Sequence, residues 1–165
     1  MAKINVSNAT TYKFFKERAN HTLRHFAQDL DPGILPVVRE LNAIEGIAPV
    51  WSCESHPKGN AHLLREAYVI CVVTGRGMDK LEEIYKEWMR LLDQDRSSWR
   101  KDDTAHSRRK RVFAHHVVIT TRRLTWPNDF SRHYTSVCLG YERLNAVNKR
   151  LVLLSFEQAI RNVTF

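Results

Sequence analysis

Three cysteines stand in 165 residues, and an odd number spread so thinly excludes a disulfide framework as the source of stability. Two of them, Cys71 and Cys138, fall inside apolar stretches, where a thiol acts as a small hydrophobe. Glycine and proline are equally sparse, at 6 and 5 residues. With no Pro-, Gly- or Ser-rich tract to mark a linker, a single domain over residues 1–165 is expected. No apolar run approaches the roughly 18 to 20 residues that cross a bilayer, and the opening MAKINVSNATTYK lacks the apolar centre of a secretory signal. The expectations are therefore no membrane partner and a cytoplasmic location. Acidic side chains are also in deficit, 18 against 26 lysines and arginines, which leaves a net charge of +8 and a pI near 9.7. Such a balance favours partners rich in phosphate or carboxylate: a nucleotide, a nucleic acid or an acidic protein surface.

What is present is ordinary globular material, and a chain of this length buries about two thirds of its unfolded surface. Tyr12, Phe15, Ala19, Leu23, Phe26 and Leu30 recur at steps of three and four, which predicts a helix over about Ser7–Leu30. Asp31-Pro32 has the form of a helix start, with Asp as cap and Pro in the first turn, and Leu35, Val38 and Leu41 continue as a stripe until Gly46. Ile47–Trp51 and Tyr68–Thr74 are short and rich in β-branched and aromatic residues, an antiparallel pair by composition. After Gly75-Arg76-Gly77, the stripe Met78, Leu81, Tyr85, Trp88 and Leu92 predicts a helix ending between Asp93 and Arg96. Residues 96–111 read as a long charged loop. Val112–Thr121 and about His133–Tyr141 read as strands joined through a turn at Trp126-Pro127-Asn128-Asp129. In the last segment Val152, Phe156, Ile160 and Val163 stand at helical spacing, while LVLL alone fits a strand equally well. The expected fold is α+β: a single domain with a mainly antiparallel four-stranded sheet, helices packed on one face, in the order α-α-β-β-α-β-β-α.

The densest chemistry lies in the loop Ser52-Cys53-Glu54-Ser55-His56. With the preceding PVVRELNAIEGI and VW, this stretch resembles the tRNA wybutosine-synthesis methyltransferase family, in which a helix containing Leu-Asn precedes a strand and a Ser-Cys-Ser-Gly-Arg loop. It also resembles small phage and bacterial proteins with a Leu-Asn helix and a Ser-Cys-x-Gly-His loop. Both patterns carry Gly where this chain has Ser55. The first resemblance implies an RNA-modifying methyltransferase using S-adenosylmethionine, with Ser52, Cys53, Glu54 and His56 as the catalytic candidates. Read from the residues alone, Cys53 and His56 offer a thiol–imidazole pair or two metal ligands. One such pair with scattered histidines is not a zinc framework, so no metal is expected. The alternation Ile47, Pro49, Trp51, Cys53 would place the thiol with the apolar side of the strand as a packing residue.

The remaining candidates are cationic. Arg108, Arg109, Lys110 and Arg111 form a run, Arg122, Arg123 and Arg132 lie near strand ends, and Trp126 stands beside them for base stacking. Lys58, Arg76 at a glycine-flanked turn, and His116 complete the expected ligand-binding set. These observations lead to a non-enzymatic basic protein, without cofactor, that captures a nucleotide or nucleic acid, with a phage-encoded modulator of a host pathway as the setting. The methyltransferase, and an inhibitor of an acidic host protein, stand as alternatives.

Overall fold

The computed structural model describes residues 6–56, 66–98, 116–126, 128–146 and 148–164, the side chains of 94–98 excepted. Helix α1 spans Ala9–His25 and begins where the Asn8 side chain accepts the Thr11 N–H at 2.9 Å. A single 3-10 turn, Ala27–Asp29, replaces its expected last turn. Helix α2 runs Leu35–Ala43, with Pro36 in its first turn where no N–H is required. Strands β1 (Ile47–Cys53) and β2 (Ala67–Val73) follow, then α3 (Gly75–Ser98), β3 (Val117–Trp126), β4 (Asp129–Tyr141) and α4 (Lys149–Thr164). The ambiguous LVLL is thus helical: Val152, Leu153, Phe156, Ala159 and Ile160 are buried at helical spacing, and this longer stripe outweighs the local β propensity.

The fold is α+β, and its sheet has the order β1-β2-β4-β3 with every neighbouring pair antiparallel. One face carries Val69, Cys71 and Val73 of β2 with Val137, Leu139 and Tyr141 of β4, and α2, α3 and α4 close over it. At its centre the Trp88 ring stacks on Phe156, with centroids 3.8 Å apart and planes 10° from parallel. Such a pair is worth about 0.5–1.5 kcal/mol beyond its buried area. The expectation of all helices on one face needs correction for α1. Its Phe15 packs with Ala48, Val72 and Tyr134, which alternate to the opposite side of the sheet. Lys16 on the same helix donates to the carbonyls of Asn42, Ile44 and Ile47, fastening α1 along the β1 edge.

Two irregularities of the strands shape the surface. First, the β1 register slips between Pro49 and Trp51, a bulge that reverses the alternation of the strand's end. Second, β3 and β4 are longer than the rest of the sheet. β2 meets β4 only from Ala67↔Tyr141 to Cys71↔Val137, whereas β3 follows β4 from Val117↔Tyr141 to Trp126↔Asp129. Residues 122–126 and 129–136 are therefore paired only with each other, a two-stranded ribbon turned at Asn128 with φ +66°. The expected strand 112–121 begins instead at Val117 among the described residues and runs on through Arg122 and Arg123, where the sequence pattern places its exit.

Candidate functional site

The ribbon gathers cations and aromatics. Arg122, Arg123, Arg132 and His133 are all exposed, and Phe130 near the turn is 82% exposed. Arg122 pairs across the ribbon with Ser136 and Arg123 with Thr135, so successive arginines project from opposite faces. The Arg132 guanidinium lies 4.4 Å from the Trp126 ring centroid, a cation–π arrangement. Trp126 in turn rests on Phe14 and Phe15 of α1, with centroids 4.5 and 5.3 Å away. Asp129 accepts the Ser131 hydroxyl at 2.6 Å and its N–H at 3.2 Å, and these bonds with nearby Arg132 hold its carboxyl below the usual range. The turn is thereby given a defined shape, while the arginine heads stay in water.

Other expected ligand residues are not brought to the ribbon. Lys58, Arg108, Arg109, Lys110 and Arg111 lie outside the described residues. Arg76 lines an open groove of about 700 Å³ with Glu40, Glu45, Asp79, Lys80 and Glu83, a lining in which carboxylates outnumber cations. Of the two glycines beside Arg76, Gly77 serves packing: Gly46 at φ +85° sits against it, and a Cβ added at Gly77 would stand 2.0 Å from the Gly46 carbonyl oxygen. The Gly77 N–H is taken by Thr74 Oγ1 at 3.3 Å. His116 precedes β3, its ring edge-on to Tyr141 at 5.9 Å. Six residues of strand, roughly 20 Å at ~3.3 Å each, separate it from Arg122.

The second constellation is the loop after β1. Because of the bulge, Cys53 pairs with Tyr68 rather than facing Ile47's side, which corrects its reading as a packing residue of the apolar face. Ser52 pairs instead with Val69 and borders a cavity of about 140 Å³ between α1 and β1, apart from the rest of its motif. Ser55 is 1% exposed and has φ +86°, a conformation that glycine adopts without strain. This reversal carries the Ser55 N–H to 3.4 Å from the Cys53 sulfur. Lys149, at the start of α4, holds the turn by donating to Ser55 O at 3.0 Å and Glu54 Oε1 at 2.8 Å. Glu54 also accepts the Gly33 N–H.

Asp31 completes the group. The sequence pattern makes it the cap of α2, but the cap position falls at Ile34 without a side-chain bond. The Asp31 carboxylate instead accepts the Glu54 N–H at 3.1 Å and lies 3.1 Å from His56 Nε2. The long polar link from Asp31 to a loop more than twenty residues away has no signature in a single sequence, since Asp-Pro before a helix reads as a cap. Lys149 escapes sequence reasoning for the same reason, while His133 and Phe130 are legible as neighbours of Arg132 in an exposed turn. No protein-family model, curated protein or solved structure matches this chain. Among the described residues no helix is long and apolar enough to cross a membrane.

Proposed function

We propose that this protein binds nucleic acid through the β3–β4 ribbon. The observation that carries the reading is the length of that ribbon beyond the sheet, with Arg122, Arg123, Arg132 and His133 exposed along it. A two-stranded ribbon has the width of a duplex major groove, and arginines on it pair with phosphates or with guanine edges. A row of exposed cations along a ribbon suits a polymer better than a single nucleotide, which asks for a closed pocket. Phe130 supplies an exposed flat surface for base stacking, and the net charge of +8 favours encounter with polyanions.

The test is fluorescence anisotropy with labelled random-sequence duplex DNA, single-stranded DNA and an RNA hairpin, titrated at several salt concentrations. Binding at low salt that weakens steeply with salt is expected. Replacing Arg122, Arg123 and Arg132 with Ala lowers affinity at least about tenfold and reduces the salt slope by about one for each arginine that pairs with a phosphate. Absence of binding to every probe at low salt removes the proposal. Binding untouched by the ribbon variant but lost in Arg108→Ala/Arg109→Ala/Arg111→Ala moves the interface to that run. Transfer of a methyl group from S-adenosylmethionine to RNA, abolished by changes in Ser52–His56, would instead support the methyltransferase alternative.

A further inference from the structure

The loop after β1 brings a thiol, an imidazole and a carboxylate from two segments of the chain to one place. One ligand atom each from Asp31, Cys53 and His56 lies within 4.8 Å of the others, and the Asp31 Oδ2 to His56 Nε2 separation is 3.1 Å. We propose that these three residues bind a zinc-class divalent transition-metal ion, leaving a fourth position for water or a further ligand.

The geometry favours this over a chance meeting. Tetrahedral zinc with bonds of about 2.0–2.1 Å to nitrogen and oxygen holds those two atoms about 3.3 Å apart, close to the separation already present. The sulfur, at a bond of about 2.3 Å, sits about 3.6 Å from each, so a shift on the order of an ångström completes the set. Two of the three ligand atoms also have a backbone donor behind them: Glu54 N–H on the Asp31 oxygen and Ser55 N–H on the Cys53 sulfur. Donors of this kind orient a ligand and stabilise its anionic form. The ammonium of Lys149, which would oppose a cation, is paired with Glu54 Oε1 and Ser55 O. Thiolate, imidazole and carboxylate together match a borderline ion such as Zn²⁺ and not Mg²⁺ or Ca²⁺. The metal–sulfur bond forms with the thiolate, the thiol proton passing to solvent. The His56 side chain is 54% exposed, which leaves a path for the ion to enter.

A thiol activated by imidazole for nucleophilic attack uses the same residues, and the experiment separates the two. Co²⁺ is titrated into the full chain while thiolate-to-cobalt charge transfer is followed in the near ultraviolet. A band saturating at a single equivalent, bleached by Zn²⁺, is expected. Cys53→Ser abolishes it, His56→Ala and Asp31→Ala each weaken Co²⁺ binding at least about tenfold, and Cys71→Ala/Cys138→Ala keeps it. Thermal unfolding of the metal-free variants shows that each still folds. Iodoacetamide labelling of Cys53 is expected to slow when Zn²⁺ is present and to recover with a chelator. A parent protein without the band, a band that survives Cys53→Ser, or labelling indifferent to Zn²⁺ overturns the site; fast labelling with no zinc effect assigns the trio to thiol chemistry instead.

Discussion

Gly77 is the residue that lets the turn before β1 touch the start of α3. Any side chain there meets backbone, because a Cβ would lie 2.0 Å from the Gly46 oxygen, whereas at Gly75 a Cβ meets nothing within 4 Å. Gly77→Ala is therefore expected to destabilise by at least about 2 kcal/mol, as overpacking against rigid atoms does. Gly75→Ala is expected to be neutral or slightly stabilising through helix propensity. Urea denaturation of the two variants checks both, and similar midpoints would mean that the backbone at Gly46 yields. The sequence alone marks the pair only as a turn; which of the two glycines is indispensable depends on what lies above it.

At the level of elements, α1 is tied to the ribbon near its turn. Phe15 is 1% exposed, with ring centroids 4.4 Å from Tyr134 on β4 and 5.3 Å from Trp126 on β3. Phe15→Ala is expected to cost about 3–5 kcal/mol, the range for emptying an aromatic site in a core. Near-ultraviolet circular dichroism should change with it, because Trp126 loses one of the two rings it rests on. A loss below about 1 kcal/mol would place the anchor of α1 in Lys16 and its carbonyls instead. The helix stripe containing Phe15 is readable from periodicity. Its side of the sheet is not, since a stripe announces that a helix packs without naming the surface it packs on.

The whole molecule should be labile to alkali. Burial raises the Tyr134 phenol to about 12 and pushes the Tyr141 phenol and the Cys71 thiol upward as well. In the unfolded chain these groups ionise at their ordinary values, 9.0 for the thiol and 10.0 for the phenols. The folded state thus holds more protons above those values, so the stability they contribute is complete below pH 9 and is lost progressively as pH rises, for Tyr134 through about 12. Lys16, lowered by burial, works in the opposite sense below 10.5 and offsets part of the loss. Thermal midpoints measured between pH 8 and about 11.5 should fall, and Cys71→Val should flatten the first part of that decline. A midpoint constant over this range would show that the buried groups do not govern the transition. Tyr134 and Tyr141 hydroxyls have no hydrogen-bond partner among the described residues, so Tyr141→Phe is not expected to add a penalty of its own.

Element order, the antiparallel pairing and the cationic character were determined by the sequence itself, because they rest on local propensity, periodicity and composition. Pro32 and the apolar stripe likewise announce a helix before β1, although the helix begins at Leu35. Only the tertiary structure decided that Asp31 serves the Cys53–His56 loop, that the bulge after Pro49 turns Cys53 to Tyr68, and that β3 and β4 outgrow the sheet. The physical reason is common to all three. Strand register and long-range polar pairing are settled by the packing of distant segments, where a slip of one residue exchanges the faces of a strand and no neighbouring residue records the choice.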